Sequence, residues 1–216
     1  MYLPSHFVPA SAGWMVDLID QEPLGLLVHP QAADGPLADL IPFLYVRGDS
    51  AQRPHGSLQA HVARANPVWR EADGASVLVV FQGPRAYVSP AWYPAKATTG
   101  RVVPTYNYVM VQARGVMRVH DDAAWVRDQV DRLTTRMEAG QAQPWSVDDA
   151  PADYTALMLK AIVGIEVVLQ QPLAGKWKVS QNRPAEDRQG VADGLARVMA
   201  PAEALAMASL VRPPGR

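Results

Sequence analysis

The first 120 residues alternate between apolar and polar positions in the manner of β-strands. In the segment 57–63, Leu58, Ala60 and Val62 are separated by single polar or small residues, which is the period of a strand with two unlike faces. The apolar run Val77–Phe81 is too short for a helix and rich in β-branched side chains. Six strands are predicted in this half: Leu24–His29, Pro36–Val46, Ser57–Ala63, Val77–Phe81, Ala86–Ser89, and Thr105–His120 with a break at Gly115. Six strands joined by turns favour a sandwich or a barrel, and a barrel leaves no exposed sheet edge.

The rest of the chain has the apolar spacing of helices. The acidic pair 121–122 is suited to cap a helix that ends at Gly140. Pro151 suits the first turn of a second helix. The apolar face of that helix is predicted to begin with Tyr154, Leu157 and Met158. The segment Ile162–Leu169 is either helical or a returning strand, since it is rich in β-branched residues.

Two more helices are predicted near the end of the chain. One begins after Asn182–Pro184 and runs through Met199, and a short one starts at Pro201. No change of composition divides the chain, so residues 1–210 are expected to form one α+β domain. Residues 211–216 are expected to form a disordered tail.

Composition and charge exclude several classes of function. The 20 basic and 21 acidic residues leave a formal net charge of -1, so direct DNA binding is expected to be weak, because strong binders need surplus cations. The chain has no cysteine, and its 5 histidines lack metal-ligand spacing, so no thiol nucleophile and no metal site is predicted. We find no catalytic motif. Without a basic-apolar leader or a long apolar run, a cytoplasmic protein with no membrane span is expected.

Arg64 is the candidate for binding an anion. It follows the predicted strand 57–63 and precedes a turn at Asn66. A guanidinium beside free backbone N–H groups is suited to a phosphate dianion. The alternative is a surface ion pair with a nearby carboxylate such as Glu71 or Asp73, which would contribute little to stability.

Three other segments combine aromatic rings with amides, hydroxyls or cations. They are residues 81–93, 103–108 and 175–183. The first two are suited to a flat heteroaromatic ring with polar edges, although such residues also occur in cores and dimer interfaces. The third is either the polar entrance of a capped helix or part of a binding site.

Taken in order, seven segments of this chain resemble the PaiB family of FMN-binding negative transcriptional regulators. The segments are MYLPSHF at 1–7, GSLQAHVARANPVW at 56–69, FQGPRAYVSPAWYP at 81–94, VVPTYNY at 102–108, GQAQPWSVDDAP at 140–151, IVGIE at 162–166 and GKWKVSQNRPAEDRQGV at 175–191. This family is similar to the pyridoxamine-phosphate-oxidase-like flavoproteins. The resemblance implies an α+β fold, a six-stranded antiparallel split β-barrel with peripheral helices, and a homodimer with FMN between its subunits.

The resemblance also implies FMN contacts, position by position. They are His61, Val62, Ala63, Arg64 and Asn66 in the second segment, Ser89, Trp92 and Lys96 in and after the third, Thr105 and Asn107 in the fourth, and Trp177, Lys178, Gln181 and Arg183 in the last. Arg64 is the expected phosphate ligand, and Lys96 is a second possible cation. The last segment is expected to form the wall of the site that the other subunit supplies.

This chain departs from the family pattern at a few positions. Leu40 and Gln112 stand where histidine is common, Arg85 replaces histidine or glutamine, and Tyr106 replaces tryptophan. Because the imidazoles common at positions 40 and 112 are absent, this chain lacks the histidines that would transfer protons there. The expected function is an FMN-binding regulator that acts through its flavin rather than by strong direct DNA contact. The alternative is an FMN-dependent oxidoreductase on a small substrate.

Overall fold

The computed structural model describes residues 1–30, 35–48, 50–198 and 201–211. Its eight strands in those residues are β1 (Leu24–His29), β2 (Leu37–Pro42), β3 (Leu44–Val46), β4 (Ser57–Ala63), β5 (Ser76–Val88), β6 (Thr105–His120), β7 (Ile162–Leu169) and β8 (Ala174–Lys178). The seven α-helices there are α1 (Gly13–Gln21), α2 (Val68–Glu71), α3 (Ala95–Thr99), α4 (Ala123–Glu138), α5 (Ala152–Lys160), α6 (Ala185–Val198) and α7 (Pro201–Val211). The predicted α+β class is confirmed.

The prediction of six strands was wrong in number, because the described residues contain eight. The second predicted strand breaks at Phe43, whose backbone N–H donates to the carbonyl of Pro23 at 2.8 Å. The fourth and fifth predicted strands are parts of the single strand β5. β7 occupies the segment Ile162–Leu169, for which a helix and a strand were the two alternatives. β8 was not predicted, because Lys176 and Lys178 make its sequence polar.

The chain divides into two compact units. Unit 1 comprises residues 1–14, 82–111 and 175–216, and unit 2 comprises residues 15–81 and 112–174. Strands β5 and β6 contribute residues to both units. The expectation of a single domain over residues 1–210 stays a prediction.

The predicted end of the chain lies partly outside the described residues. Val211, the first residue of the expected tail, is the buried last residue of α7. Residues 212–216 lie outside the described part, as does Met199, the predicted end of the preceding helix. Among the described helices, none has both the length and the hydropathy that a membrane crossing requires.

Strand β1 pairs with β2 and β5, β4 pairs with β3 and β7, and β6 pairs with β7, all in antiparallel orientation. These strands supply much of the core of unit 2. The strand order is β2–β1–β5–β6–β7–β4–β3, with β8 beside β6. β4 pairs with β7 along its full length, from Ser57 opposite Val168 to Ala63 opposite Ile162. Residues on both faces of these two strands are buried along most of their length. The fully buried core of unit 2 includes Leu27, Leu58, Val79, Phe81 and Ile165.

Helix α4 of unit 2 confirms the predicted cap. The Asp122 carboxylate accepts the backbone N–H of Trp125 at 2.8 Å, and Val126 and Leu133 are buried on the face that meets the sheet. The ring of Trp125 lies against β7, where a Cβ atom on Gly164 would come within 2.3 Å of it. Glycine is therefore required at position 164 for the helix to pack closely on the strand.

Helix α5 forms where it was predicted, and the apolar residues with which its predicted apolar face begins are exposed. Tyr154, Leu157 and Met158 are 55%, 60% and 41% exposed, whereas Thr155 is buried. The helix packs on α4 and β7 through the side that carries Thr155. Its apolar side is left as an exposed surface of unit 2.

Unit 1 contains the remaining parts of the two long strands. Asn107, Val109 and Val111 are buried in β6 and alternate with less buried residues. In β5 this alternation shifts by one residue, because Pro84 and Arg85 are consecutive and neither is buried. Such a shift is the burial pattern of a β-bulge, and it changes which later side chains of β5 face inward.

Helices α6 and α7 give unit 1 an apolar core of its own. The fully buried residues on these helices include Val191, Leu195, Met207 and Val211. The Arg188 guanidinium donates to the carbonyl of Val211 at 2.8 Å. This bond gives the carbonyl of the last residue of α7 a hydrogen-bond partner.

A single buried carboxylate joins three strands of unit 2. Glu166 on β7 is 2% exposed. It accepts hydrogen bonds from the Ser57 hydroxyl at 2.7 Å and from the Gln59 amide at 3.0 Å, both on β4. His120 on β6 lies 3.1 Å away through Nε2, and the Arg53 guanidinium lies at 3.1 Å. Since an ionised carboxylate only accepts, each of these groups acts as a donor.

These donors decide the protonation state of Glu166. Burial raises the pKa of this carboxyl. Hydrogen bonds from His120, Gln59 and Ser57, together with the charge of Arg53, outweigh that effect and lower the pKa from 4.5 to about 2. The folded protein therefore keeps a buried negative charge at neutral pH, and that charge is fully surrounded by donors, as a buried charge must be.

We predict that Glu166→Gln removes an acid-sensitive part of the stability. The unfolded chain takes up this proton near pH 4.5 and the folded chain only near pH 2. The stabilisation, ~3 kcal/mol, is therefore complete above pH 4.5 and is lost as the pH falls toward 2. Urea unfolding at pH 7 and pH 3 should show a large loss in the variant at pH 7 and a much smaller one at pH 3.

Glu22→Gln, at an exposed glutamate, is the matched control and should follow the wild type at both pH values. A difference between Glu166→Gln and wild type that stays constant over this pH range would contradict the prediction.

Candidate functional site

A small polar cavity lies within unit 1, and we call it the inner cavity. Its volume is about 100 Å³, roughly the room that a phosphate group with some water requires. Strands β6 and β8 and several segments outside the strands bring its lining together from distant parts of the chain. The polar lining includes Tyr93, Thr105, Asn107, Lys178, Ser180 and Arg183.

Hydrogen bonds fix most of these side chains. The Lys178 ammonium donates to the Thr105 hydroxyl and to the carbonyl of Tyr106. The Asn107 amide and the Ser180 hydroxyl are joined by two contacts, at 3.0 Å and 3.1 Å. Burial lowers the pKa of Lys178, and the positive charge of Lys176 lowers it further. A negative ligand would relieve both effects.

A strained turn after β8 presents residues to this cavity. Ser180 has a φ of 60°, a left-handed conformation that is uncommon for a residue with a side chain. The turn is held by the backbone N–H of Arg183, which donates to the carbonyl of Ser180 at 2.9 Å. Gln181 braces it from the other side, accepting from the N–H of Val179 at 2.8 Å and donating to the carbonyl of His6 at 2.9 Å.

Tyr93 gives the inner cavity a polar atom that lacks a partner. Its hydroxyl is buried and forms no hydrogen bond of normal geometry among the described residues. Burial raises the pKa of Tyr93, while the charge of Arg183 and the nearby Ser180 hydroxyl oppose that shift. The Arg183 guanidinium lies 5.0 Å from the centre of the Tyr93 ring, so a cation lies over the ring that carries this hydroxyl.

A second cavity of unit 1, the outer cavity, has a volume of about 500 Å³. Its main lining residues are Arg85, Tyr87, Trp92, Tyr106 and Val198. The rings of Tyr87 and Tyr106 meet edge to face, 5.8 Å apart at 70°. Because neighbouring residues of a strand point to opposite faces, Tyr106 faces away from Thr105 and Asn107, and the two cavities lie on opposite sides of β6.

Helix α6 fixes the segment that carries Trp92. A Cβ atom on Gly190 would come within 2.1 Å of the Trp92 carbonyl oxygen, and one on Gly194 within 2.3 Å of its ring. Asp187, one turn earlier on the same face, is buried and accepts the N–H of Ala95 at 3.1 Å. No sequence pattern indicated that these three residues belong to the site, because their spacing is that of an ordinary helix.

Arg64 lies in unit 2, where its guanidinium already has partners. It donates to both carboxylate oxygens of Asp121 at 2.9 Å and 2.6 Å, and to the carbonyls of Lys160 and Ile162. Its hydrogen bonds to Asp121 raise its pKa and lower that of the carboxylate. The carboxylate partner is therefore Asp121, neither of the two nearby acidic residues that the sequence suggested. A phosphate could use this fork only by displacing Asp121.

The other predicted contacts of unit 2 also form internal bonds. His61 Nδ1 lies 2.8 Å from the amide oxygen of Gln129 on α4. Asn66 accepts the N–H of Val68 at 2.9 Å, which closes the predicted turn, and donates to Asp39 at 3.3 Å. Val62 is buried and Ala63 is exposed.

The structure therefore brings the predicted residues together in part. Thr105, Asn107, Lys178 and Arg183 line the inner cavity of a single chain, although the last segment was expected to serve the other subunit's site. Trp92 lines the outer cavity. The remaining predicted contacts of unit 1 lie near these cavities along the chain but line neither: Ser89, which caps the turn before Trp92, Lys96, Trp177 and Gln181.

The departures from the family pattern fall in different places. Leu40 is 64% exposed on β2, opposite Leu26 of β1. Gln112 is half-buried on β6, and Arg85 and Tyr106 line the outer cavity. Within the described residues, no group of three or more acidic or histidine side chains is placed to hold a metal ion.

Comparison with known proteins defines the class. The structure is similar to the flavocytochrome Anf3 of Azotobacter vinelandii, with a TM-score of 0.55 and 11% identity over 79% of this chain and 69% of that one. It is also similar to the conserved hypothetical protein Rv2991 of Mycobacterium tuberculosis, with a TM-score of 0.57 and 11% identity over 85% and 94%. The fold is that of the flavin-binding split barrels.

The family follows from sequence. Residues 1–171 match the model described as "Putative FMN-binding domain", so the chain belongs to that family, whose cofactor is FMN. An uncharacterized protein of Emericella nidulans is 33% identical over 90% of both chains. The "Protease synthase and sporulation protein PAI 2" of Bacillus subtilis is 28% identical over 90% of this chain and 89% of its own. The resemblance to the PaiB family is confirmed.

We predict that Gly194→Ala displaces the Trp92 ring. The added methyl group would come within 2.3 Å of the ring, which must therefore move. Such a packing error typically destabilises a protein by ~1–3 kcal/mol, whereas alanine in an exposed helix stabilises by up to ~1 kcal/mol. A lower melting temperature and a changed near-ultraviolet circular dichroism spectrum are expected.

Gly140→Ala is the control, because nothing lies within 4 Å of the Cβ position there. If both variants have the same melting temperature and keep the wild-type spectrum, the contact of α6 with Trp92 does not require glycine at position 194.

Proposed function

We propose that the protein binds the phosphate of FMN in the inner cavity of unit 1 and acts through the bound flavin. The observation that carries this proposal is the pairing of two cations, Lys178 and Arg183, with the buried and unpartnered Tyr93 hydroxyl. Charge-assisted hydrogen bonds of this kind are the strong ones in phosphate recognition. The residues present therefore fit the phosphate end of the cofactor.

Each side chain has a separate task in this proposal. Arg183 offers a guanidinium fork to two phosphate oxygens, and Lys178 supplies a point charge that Thr105 holds in place. The Tyr93 hydroxyl donates to a third oxygen. The Asn107–Ser180 pair keeps the wall rigid, so little ordering is required on binding. FMN, when bound, supplies one- and two-electron redox chemistry that no side chain of this chain has.

Arg64 is the competing candidate for the phosphate ligand. The other contacts implied by the resemblance stay proposed contacts of the cofactor: His61, Val62, Ala63, Asn66, Ser89, Trp92, Lys96, Trp177 and Gln181. We favour Arg183 because no carboxylate of the described residues occupies its guanidinium. Arg64 would have to exchange a bidentate carboxylate for the phosphate.

We further propose a cytoplasmic regulator of transcription that acts indirectly, through its flavin state or a partner. The formal net charge of -1 leaves no cationic surplus to displace counterions from DNA. The Bacillus subtilis relative is named a protease synthase and sporulation protein, and we take its link to sporulation as support for a role in regulation.

A second candidate function is an FMN-dependent oxidoreductase. The observation that favours it is the outer cavity, whose volume of about 500 Å³ lies within the range of small-molecule sites. Bleaching of bound flavin by a nicotinamide nucleotide, followed by reoxidation on an added substrate, would distinguish this activity from regulation without turnover.

We predict that Arg183→Ala weakens FMN binding about 10- to 100-fold, because it removes a charge-assisted contact. Arg64→Ala should change the dissociation constant less than about threefold. Titration of FMN into stripped protein, followed by quenching of flavin fluorescence, measures all of these constants.

Arg101→Ala is the control, since Arg101 is exposed in the same unit and lines neither cavity. The opposite order of effects, with Arg64→Ala the weaker binder and unchanged melting temperatures, would assign the phosphate to Arg64.

We predict a homodimer that buries well over ~2,000 Å² in total, the range of obligate interfaces. The exposed apolar side of α5, formed by Tyr154, Leu157 and Met158, is surface that a single chain leaves in water. Light scattering of the flavin-loaded protein at micromolar concentration should give twice the chain mass. A monomer mass with flavin still bound would refute the dimer.

A further inference from the structure

The outer cavity combines aromatic walls with one cation. Tyr87, Trp92 and Tyr106 supply three rings, and Arg85 is the only charged side chain among the described residues of its lining. Tyr87 and Tyr106 are 48% and 60% exposed. Ring faces exposed in a concave surface are unusual, because burying such rings is strongly favourable.

Arg85 has no partner of its own. Among the described residues, its guanidinium forms no hydrogen bond, ion pair or ring contact. The contrast with Arg64 is direct, since that guanidinium is engaged by a carboxylate and two carbonyls. A guanidinium at the rim of an apolar cavity is most stabilised by an anion, which restores the hydrogen bonds that desolvation removes.

The outer cavity is separate from the inner one. It lies on the other face of β6, since Tyr106 faces it and Thr105 faces the inner cavity. Its tryptophan cannot shift freely, because Gly190 and Gly194 of α6 hold both the backbone and the ring of Trp92 at van der Waals contact. The walls are therefore shaped in advance of any ligand, which lowers the entropy lost on binding.

We propose that the outer cavity is a second binding site, for a small planar aromatic anion such as an aromatic carboxylate. The ring of the ligand packs on Trp92, Tyr87 and Tyr106, and its carboxylate accepts two hydrogen bonds from Arg85. A neutral ring would leave the guanidinium without a partner, and an aliphatic acid would leave the aromatic faces poorly covered. This site does not depend on the assignment of the FMN phosphate to the inner cavity.

Isothermal titration calorimetry of the FMN-loaded protein tests the proposal with 2-naphthoate and with 2-naphthamide, which has the same ring without the charge. The carboxylate should bind at least about 10-fold more tightly than the amide, the fold-change typical of one charge-assisted contact. Arg85→Gln should abolish that preference and leave the weak binding of the amide unchanged. Arg101→Gln, at an exposed arginine outside the cavity, should behave as wild type.

FMN affinity is measured on the same variants by flavin fluorescence, so that the two sites are tested apart. Unchanged FMN binding in Arg85→Gln together with lost naphthoate preference supports the second site. Equal binding of acid and amide by the wild type would overturn the proposal. A parallel loss of FMN affinity in Arg85→Gln would also overturn it, because the outer cavity would then belong to the flavin.

Discussion

The sheet of unit 2 depends on one ionised carboxylate. Glu166 gathers donors from β4, β6 and the loop before β4, and the partners on β4 are more than 100 residues away in sequence. Hydrogen bonds are directional, so this cluster defines register in a way that apolar packing alone does not. A slip of one residue in β7 would turn Glu166 to the opposite face and leave every one of its donors unpaired.

This dependence explains what sequence patterns could and could not predict. The alternation in β4 correctly predicted a strand with two unlike faces. It did not reveal that the polar face is buried, with Ser57 and Gln59 at 0% and 4% exposure. Polar residues are usually exposed to solvent. Here they donate hydrogen bonds to the Glu166 carboxylate, which lies on another strand. Strand β8 was missed for a related reason, since its polar residues concealed it.

The binding residues were predictable only through the resemblance. No spacing rule relates Thr105 to Lys178, which the fold joins by a hydrogen bond across 73 residues. Arg64 shows the opposite case. Its local setting suggested an anion site, but the partner that engages it, Asp121, is 57 positions away and could not be read from neighbouring residues. Ionic and polar pairs are set by the tertiary fold, whereas periodicity reports only which face of an element is apolar.

The close contact of α6 with Trp92 makes positions 92, 190 and 194 interdependent in evolution. A larger residue at position 194 is tolerable only where position 92 has become smaller, so substitutions at these sites should occur jointly among relatives. The match to the family model ends at residue 171, yet this coupling reaches beyond it to α6. Relatives that keep the family domain but have a different C-terminal helix would then have a differently shaped pocket, and with it a different choice of ligand.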